Sequence, residues 1–507
     1  MPRTWRSMIL FGTVCFLLIN SSVEDVYEED DDYRDLYIAM GTKTSYKFIL
    51  EKRKRRQQTD DHRRSDEKSD LYRGGMLYAS NPAADLPKFC RPVHVNVVLR
   101  HGTRFPSAKT GRVLRSFVDE FGDKITNPIY KVFRNWTPMY AGDQVKLLSG
   151  VGRKEMKGLG KRLFTKYRSL FETPDGGGDA EYDDIREIIS YASSDLPRTQ
   201  NSAKYFMKGM KEALYLPNDF NFNVAIESDS LRFYDRCTKF VDSVERNKTA
   251  FAEFKKYKFG DEMRSLALKV AERLGIDADL FLETDFGVTL WNMFVMCSTE
   301  ASEIGRSLWC ELFDDEDALI LEYRSDLKHY YKWSHYPVSY MQSCPLLKDV
   351  MTNLDEAVIG SATNHVYKKA VLRFGHAETL NPFFTLLGLV NDSNIPRADN
   401  LKSIPDRLLK TSKNTPFSAN IGVILHRCDS HDELHPKDIP KDARWPTKFE
   451  PYMVEFVHNE RRLKLPFCDH DICPYTVMKK FYRDITINCQ FESICDIKKP
   501  ASEKDEL

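Results

Sequence analysis

Two histidine motifs stand far apart in this chain, and together they have the chemistry to move a phosphoryl group. The first is Arg100-His101-Gly102-Thr103-Arg104-Phe105-Pro106, and the second is His376-Ala377-Glu378. An imidazole can attack phosphorus and form a covalent intermediate, and guanidinium groups bind phosphate oxygens through paired N–H donors. A carboxyl group can then protonate the leaving oxygen. The two motifs therefore predict a phosphoryl-transfer site that needs no metal and no cofactor.

Each motif follows a predicted strand, which gives it a defined place in a sheet. The β-branched residues 93–99 predict a buried strand before the first motif, and residues 371–374 predict a strand before the second. A third unit has the same form, with a strand over residues 188–192 and a helix that begins at Arg198. In α/β sheets, ligands bind beyond the carboxyl ends of the strands, where helix N-termini favour anions. We therefore expect the three units to converge at one sheet edge.

These residues resemble the signatures of the branched histidine acid phosphatase family. The first motif matches the family's Arg-His-Gly-x-Arg-x-Pro pattern in full. The His-Ala-Glu form of the second motif is the version found in the multiple inositol polyphosphate phosphatases of that family. Residues 193–203 resemble the segment that holds the family's third phosphate-binding arginine, and residues 148–162 resemble a helix near its site. The similarity extends over most of the chain, from Phe89 to Cys495.

The resemblance implies a role for each catalytic side chain. His101 is the nucleophile and becomes phosphohistidine, while Glu378 protonates the leaving oxygen and then activates water. The residues implied to bind the transferred phosphoryl group are Arg100, Arg104, Arg198 and His376. Three cations that follow the first motif are candidates for contacts with the other phosphates of a polyanionic substrate, namely Lys109, Arg112 and Arg115. Exposed loop charges are the alternative interpretation of these three residues.

The resemblance also implies a substrate class. We expect a phosphomonoester hydrolase that acts on inositol hexakisphosphate and pentakisphosphate, with 2,3-bisphosphoglycerate as a further implied substrate. Two alternatives stay open: an acid phosphatase or phytase of broad specificity, and a catalytically degenerate protein that binds polyphosphates. The presence of both His101 and Glu378 argues against the degenerate protein.

The distribution of predicted elements indicates an α/β fold with a Rossmann-like, mainly parallel sheet flanked by helices. Strand-loop-helix units occupy residues 89–235 and 346–500 and form the predicted core. Residues 236–345 are rich in helical patterns and poor in strands, so they predict an inserted α-helical cap. The family resemblance implies the same arrangement. We expect the substrate to bind between the core and the cap.

Charge is balanced overall but unevenly distributed. The chain has 75 Lys and Arg against 75 Asp and Glu, so no net field points to nucleic acid. Residues 23–88 combine an acidic run and a basic run without a sustained core pattern, and are predicted to be mostly disordered, with one candidate amphipathic piece over residues 33–50. The most basic run of this segment is Arg53-Lys54-Arg55-Arg56, and it is interpreted as a solvated linker. A proprotein cleavage site and a phosphate-attracting patch are the alternatives.

Both ends of the chain predict a secretory route. Residues 1–22 have a basic start, an apolar stretch and small polar residues, which is typical of a signal peptide. A short membrane anchor is the alternative, although the apolar stretch is short for a span. The C-terminal Lys504-Asp505-Glu506-Leu507 is the retrieval signal read by the endoplasmic reticulum receptor. We therefore expect a protein of the endoplasmic reticulum lumen with no membrane span in the mature chain.

Cysteine usage fits an oxidising compartment. Of eleven cysteines, Cys15 lies in the predicted signal peptide and the other ten are enough for five disulfides. The neighbouring pairs Cys468 with Cys473 and Cys489 with Cys495 are candidates for local bridges, but the connectivity stays open. Zinc ligation is disfavoured because the chain lacks a paired Cys-x-x-Cys pattern. Sequons predict glycans at Asn135, Asn247 and Asn391.

Overall fold

A mixed β-sheet carries both histidine motifs. The computed structural model of the protein describes residues 35–59, 75–78, 89–171, 182–428, 450–470 and 472–496. Over these residues the sheet has eight strands in the order β3-β2-β4-β1-β5-β6-β7, with β8 paired to β6. The strands are β1 (Cys90–Arg100), β2 (Ile189–Ser193), β3 (Val224–Ile226), β4 (Ala370–Gly375), β5 (Asn420–Cys428), β6 (Tyr452–His458), β7 (Arg461–Arg462) and β8 (Cys473–Pro474).

The sheet is parallel on one side of β1 and antiparallel on the other. Strands β3, β2, β4 and β1 pair in parallel, whereas β5 to β8 pair in antiparallel fashion. The β6–β7 hairpin turns through Asn459 (φ 48°) and Glu460 (φ 65°), and positive φ at both central turn residues is typical of two-residue hairpins. The predicted α/β class is confirmed, and the predicted parallel pairing describes the half of the sheet that carries the motifs.

Helices cover the parallel half and close the space above its carboxyl edge. The helices of the first part of the chain are α1 (Tyr46–Thr59), α2 (Ala108–Phe121), α3 (Gly150–Lys166), α4 (Tyr182–Ile188) and α5 (Pro197–Ala213). Helices α3 and α5 pack so closely that a Cβ on Gly209 of α5 would lie 1.8 Å from the Lys157 carbonyl oxygen of α3. Phe206 of α5 packs edge-on against Phe374 of β4, with ring centroids 5.3 Å apart. This packing sets where Arg198, near the start of α5, meets the sheet edge.

The chain between β3 and β4 is fully described and contains only helices and loops. Its helices are α6 (Ser228–Leu231), α7 (Phe233–Arg236), α8 (Thr238–Phe240), α9 (Ala252–Lys258), α10 (Asp261–Leu274), α11 (Ala278–Glu283), α12 (Phe286–Ile304), α13 (Asp315–Trp333), α14 (Pro337–Met341) and α15 (Cys344–Thr363). Contacts group Leu36–Leu507 into one compact unit, so the helical stretch is not a separate body. Its limits as a cap, residues 236–345, stay a prediction.

The remaining helices follow the second motif and complete the fold. They are α16 (Ala377–Leu386), α17 (Thr411–Asn414), α18 (Tyr475–Ile487) and α19 (Phe491–Ile494). Within the described ranges, no helix is long and apolar enough to cross a membrane. The predicted signal peptide, acidic run and retrieval tetrapeptide lie outside those ranges.

Part of the N-terminal segment is folded, which corrects the prediction of disorder for the residues involved. Leu36, Met40 and Tyr46 are each fully buried, and we call residues 36–45 the strap. The strap lies within residues 33–50, the candidate amphipathic piece, but its apolar run is too short to predict how it is buried. The basic run lies in helix α1, which extends from the strap, and Lys54 and Arg55 are exposed there. Residues 23–34, 60–74 and 79–88 lie outside the described residues.

Five disulfides join cysteines of the described residues, three of them over more than 100 positions of the chain. They are Cys90–Cys428, Cys237–Cys495, Cys297–Cys310, Cys344–Cys489 and Cys468–Cys473. The predicted count agrees, and so does the local bridge between Cys468 and Cys473. The suggested Cys489–Cys495 bridge is wrong, because the short helix α19 lies between these cysteines and each bonds a cysteine elsewhere in the fold.

Candidate active site

The ends of strands β1 and β4 bring the two motifs together. Arg100 pairs with Gly375 at the last position of the ladder, and the backbone N–H of His101 donates to the Gly375 carbonyl at 3.1 Å. The rings of His101 and His376 are consequently 5.5 Å apart between centroids. Gly102 follows at a tight turn, where a Cβ would lie 2.6 Å from the Gly152 carbonyl oxygen. The predicted convergence of the motifs is therefore present.

A cavity of about 350 Å³ opens above this sheet edge. Five residues with predicted catalytic or phosphate-binding roles line it, namely Arg100, His101, Arg104, Arg198 and Glu378. The opposite wall comes from helices α12 and α13, through residues such as Trp291, Asn292, Arg324 and Lys328. The cavity thus lies between the α/β part and the helical stretch, as the sequence led us to expect.

Each of the three arginines that line the cavity has an unused donor. The Nε atoms of Arg100, Arg104 and Arg198 are buried and have no hydrogen-bond partner among the described residues. Arg100 is held by Nη1, which donates to the carbonyl oxygens of Thr42 at 2.7 Å and Thr415 at 2.6 Å. Burial, with repulsion from neighbouring arginines, lowers the pKa of Arg100 to about 9 and that of Arg104 to about 10. An anion would satisfy these donors and relieve the repulsion.

His101 is held in the form that a nucleophile needs. Its Nδ1 lies 2.9 Å from the Gly102 carbonyl oxygen, so Nδ1 carries the proton and donates it. The lone pair of Nε2 is therefore free to attack. Burial, followed by the positive charge of Arg100, lowers the pKa of His101 well below its ordinary value. The imidazole is neutral at physiological pH for this reason.

His376 differs from its predicted place. It is 1% exposed and is not among the residues that line the cavity. Its Nδ1 accepts from Arg198 Nη2 at 3.3 Å, and its Nε2 lies 2.9 Å from Ser194 Oγ. Burial, with the nearby Arg198, lowers the pKa of His376 to about 3. The neutral ring therefore holds Arg198, and its predicted direct contact with phosphate stays a prediction.

Glu378 projects into the cavity from the first turn of α16. Burial favours its protonated form, but the surrounding cations, His376 when protonated and Arg100 among them, outweigh this effect. They hold the pKa of Glu378 well below its usual range. The free site therefore contains a carboxylate, and a bound phosphate that neutralises the arginines would raise this pKa.

Only one of the three predicted accessory cations reaches the cavity. Lys109 is exposed and lies on the lining. Arg112 and Arg115 are exposed and are not part of the lining, so contact of these two with substrate stays a prediction. Helix α2 buries its other face, with Leu114 and Phe117, and this turns both arginines toward solvent.

Several lining residues were not anticipated from the sequence. Lys43 comes from the strap, and Arg324, Lys328 and His329 come from helix α13. Burial, followed by repulsion from Arg324, lowers the pKa of Lys328 to about 8. The i, i+4 spacing of Arg324 and Lys328 is a signal that both project from one helix face, but it does not say what that face meets.

Glu155 of helix α3 ties the nucleophile loop to the strap. This buried carboxylate accepts hydrogen bonds from Thr103 N at 2.9 Å and Ser45 Oγ at 2.6 Å. It also accepts from Thr103 Oγ1, Lys47 N and Ser418 Oγ. Sequence reasoning found the helix but not this residue, because the partners are distant along the chain.

Two further predictions concern surface chemistry and metals. The sequon residues Asn135 and Asn391 are exposed, and Asn247 is half-buried with its amide nitrogen donating to the Ser243 carbonyl oxygen at 3.1 Å. Glycosylation at the three sites stays a prediction. In the described part of the chain, no group of three His, Cys, Asp or Glu side chains is placed to hold a metal ion.

Comparisons with known proteins agree with this geometry. Multiple inositol polyphosphate phosphatase 1 of Gallus gallus is 31% identical over 427 residues, covering 82% of this chain and 87% of that protein. The Homo sapiens protein of the same name is 29% identical, covering 82% and 84% respectively. Among solved structures, the phytase from D. castellii has a TM-score of 0.65 at 17% identity and covers 85% of this chain and 88% of its own.

A second solved structure is similar in fold. The Bifidobacterium longum multiple inositol polyphosphate phosphatase, solved with inositol hexasulfate, has a TM-score of 0.59 at 17% identity. That likeness covers 79% of this chain and 94% of the bacterial one. The model of the histidine phosphatase superfamily (branch 2) matches residues 93–458, most of the chain. The predicted family is thereby confirmed: this chain belongs to branch 2 of the histidine phosphatase superfamily.

Proposed function

We propose that this phosphatase hydrolyses phosphomonoesters of inositol polyphosphates through a phosphohistidine intermediate on His101. The observation that carries the proposal is the neutral His101 beside three buried arginine Nε donors in one cavity. The relatives named multiple inositol polyphosphate phosphatase 1 support the substrate class. So do the cations of α13 across the cavity, because a substrate with several phosphates needs more positive charge than one phosphate does.

In the first step, the Nε2 lone pair of His101 attacks phosphorus and the bond from phosphorus to the leaving oxygen breaks. Glu378 protonates that oxygen, so the product leaves as an alcohol. The Nδ1 proton stays on the ring and donates to the Gly102 carbonyl, which stabilises the cationic phosphohistidine. Arg100, Arg104 and Arg198 neutralise the phosphoryl oxygens, and His376 orients Arg198.

In the second step, water attacks the phosphorus of phosphohistidine. Glu378, now a carboxylate, takes a proton from that water while the bond from phosphorus to nitrogen breaks. The products are inorganic phosphate and neutral His101. The cations that lower the Glu378 pKa in the free site favour the carboxylate that this step requires.

The experiment that tests the proposal is phosphate release from inositol hexakisphosphate by the purified, disulfide-intact protein. Wild type should release phosphate, and His101→Ala should not, because His101 follows Arg100 directly at the end of β1, whereas the other lining histidine, His329, comes from helix α13. Full activity in His101→Ala would contradict the mechanism. Faster use of p-nitrophenyl phosphate than of the inositol substrate would favour a broad-specificity acid phosphatase. Tight binding without release would favour a degenerate binding protein.

The same assay can test 2,3-bisphosphoglycerate, which stays a predicted substrate. We also propose that the protein acts in the lumen of the endoplasmic reticulum, on the strength of the predicted signal peptide, the Lys504-Asp505-Glu506-Leu507 terminus and the five disulfides. Deleting the terminal tetrapeptide should move the protein into the culture medium, if a retrieval receptor holds it. Equal retention of both forms would contradict this localisation.

A further inference from the structure

The strap forms one wall of the candidate active site, and several contacts hold it there. The Thr42 carbonyl accepts the hydrogen bond from Arg100, and the Lys43 carbonyl accepts one from Ser298 Oγ at 2.7 Å. The Thr44 carbonyl accepts from Phe417 N at 2.9 Å. These partners belong to β1, α12 and the loop before β5, so the strap joins both sides of the cavity.

The conformation of the strap before Lys43 depends on one glycine. Gly41 has a φ of +55°, and a Cβ at this position would lie 2.6 Å from Ser325 Oγ of helix α13. A larger residue would therefore clash as well as strain the backbone. Gly41 lets the strap lie against α13 and sets the position from which the next residues enter the cavity.

Lys43 is the charged group that the strap supplies. Its ammonium makes no ion pair or hydrogen bond among the described residues, although its Nζ lies 5.8 Å from the centroid of the Phe417 ring. Arg100 stacks on the same ring at 4.3 Å. Burial, followed by repulsion from Arg104 and Arg100, lowers the pKa of Lys43 well below its ordinary value, and Lys328 adds to this repulsion. Lys43 thus lies within electrostatic reach of both the arginines and α13.

We propose that Lys43 forms a second anion subsite, which binds a phosphate next to the one being transferred on the same substrate. The subsite would favour vicinal polyphosphates, because Lys43 and Lys328 line the same cavity as the three arginines and add positive charge for a further phosphate. The strap precedes residue 93, where the match to the superfamily model begins. The inference rests on the proposed function.

The test compares a substrate with vicinal phosphates to one with a single phosphate. In Lys43→Met, kcat/KM for inositol hexakisphosphate should fall about tenfold or more, while kcat/KM for p-nitrophenyl phosphate changes less than about twofold. Lys43→Arg should restore most of the lost activity, because it restores the charge. Lys47→Met is the matched control, since Lys47 lies four residues along and pairs with Glu51 outside the cavity.

A binding measurement separates the subsite from the chemistry. In a His101→Ala background, Lys43→Met should weaken binding of inositol hexasulfate, measured by calorimetry, by a similar factor. An equal loss of kcat/KM for both substrates would overturn the subsite, because it would mean that Lys43 supports folding or catalysis in general. Unchanged binding of inositol hexasulfate would overturn it as well. If wild type fails to hydrolyse inositol hexakisphosphate, the proposed function fails first, and the binding measurement still reports on Lys43.

Discussion

Arg198 Nη2 lies 3.3 Å from Nδ1 of His376, and the same imidazole contacts Ser194 Oγ through Nε2 at 2.9 Å. A neutral ring with Nε2 protonated satisfies both contacts, because an arginine can only donate. His376 thus contacts an arginine that lines the cavity. We therefore expect the imidazole to act on a phosphate through Arg198, as a positioning group.

This arrangement predicts a specific effect of His376→Ala. Arg198 would lose its anchor, so inorganic phosphate should inhibit on the order of tenfold more weakly, as expected for one misplaced charged hydrogen bond. The inhibition constant of phosphate for p-nitrophenyl phosphate hydrolysis measures this. Ser194→Ala, which removes the contact on the other side of the ring, should show a smaller effect in the same direction. Unchanged phosphate inhibition with a collapsed kcat would point to a direct role in the chemistry.

Glu378→Gln should separate substrates by the quality of their leaving group. Without the acid, an inositol alkoxide must leave unprotonated, so kcat for inositol hexakisphosphate should fall by about 10² or more. p-Nitrophenolate leaves without a proton, so phosphoenzyme formation from its ester should fall far less. Rapid-quench measurement of the nitrophenol burst reports that step. Equal losses with both substrates would exclude Glu378 as the acid.

Glu155 should matter for stability and for activity together. Glu155→Ala leaves the donors of Thr103, Ser45 and Ser418 without their acceptor, so we expect a loss of about 2–4 kcal/mol in the free energy of unfolding. Urea unfolding measures the loss, and a lower kcat should accompany it because the Thr103 N–H shares a peptide bond with the Gly102 carbonyl that accepts from His101. Glu212→Gln, an exposed carboxylate that pairs with Lys157, is the control and should change stability by less than about 0.5 kcal/mol. A stable, fully active Glu155→Ala protein would contradict the anchoring role.

Stability should fall on acidification because buried histidines resist protonation. Burial lowers the pKa of His94 to about 4 and that of His458 to about 3. Between pH 6.5 and pH 4 the unfolded chain binds protons that these folded-state rings do not, so the free energy of unfolding decreases as the pH falls. His94 alone accounts for about 2 kcal/mol between pH 7 and pH 5.

Chemical unfolding at several pH values tests this direction. His94→Asn keeps a donor for the Lys368 carbonyl, which now accepts from Nδ1 at 2.6 Å, and it should flatten the pH dependence even if it lowers stability at pH 7. A stability that rises from pH 7 to pH 5 would contradict the assignment of neutral buried rings.

Much of the fold was predictable because it depends on local patterns. The β-branched runs before His101 and His376 are strands β1 and β4, and the helix at Arg198 is α5. The strands of a parallel sheet are buried on both faces, so they appear in the sequence as continuous apolar runs, which are easy to recognise. The antiparallel strands β7 and β8 are two residues long, so they carry no comparable pattern.

Other features were not predictable, because they depend on what meets across the fold. Arg112 and Arg115 have the same charge and neighbourhood in sequence as Lys109, and only the rotation of α2 separates them. The partners of Cys489 and Cys495 lie far along the chain, so closeness in sequence was misleading. The folded strap showed only a weak pattern in the sequence, because its few apolar residues are buried by parts of the chain that are distant in sequence.

The sequence by itself determined which side chains the proposed chemistry would use: a histidine, its arginines and a carboxyl group, each placed at the end of a strand or the start of a helix. Those features are short-range, because residue type and local periodicity carry them. The tertiary structure alone decided that His376 holds Arg198, that Glu155 anchors the nucleophile loop, and that Lys43 reaches the cavity. Each of these depends on side chains that are distant in sequence, and only the packing of the whole chain brings them into contact.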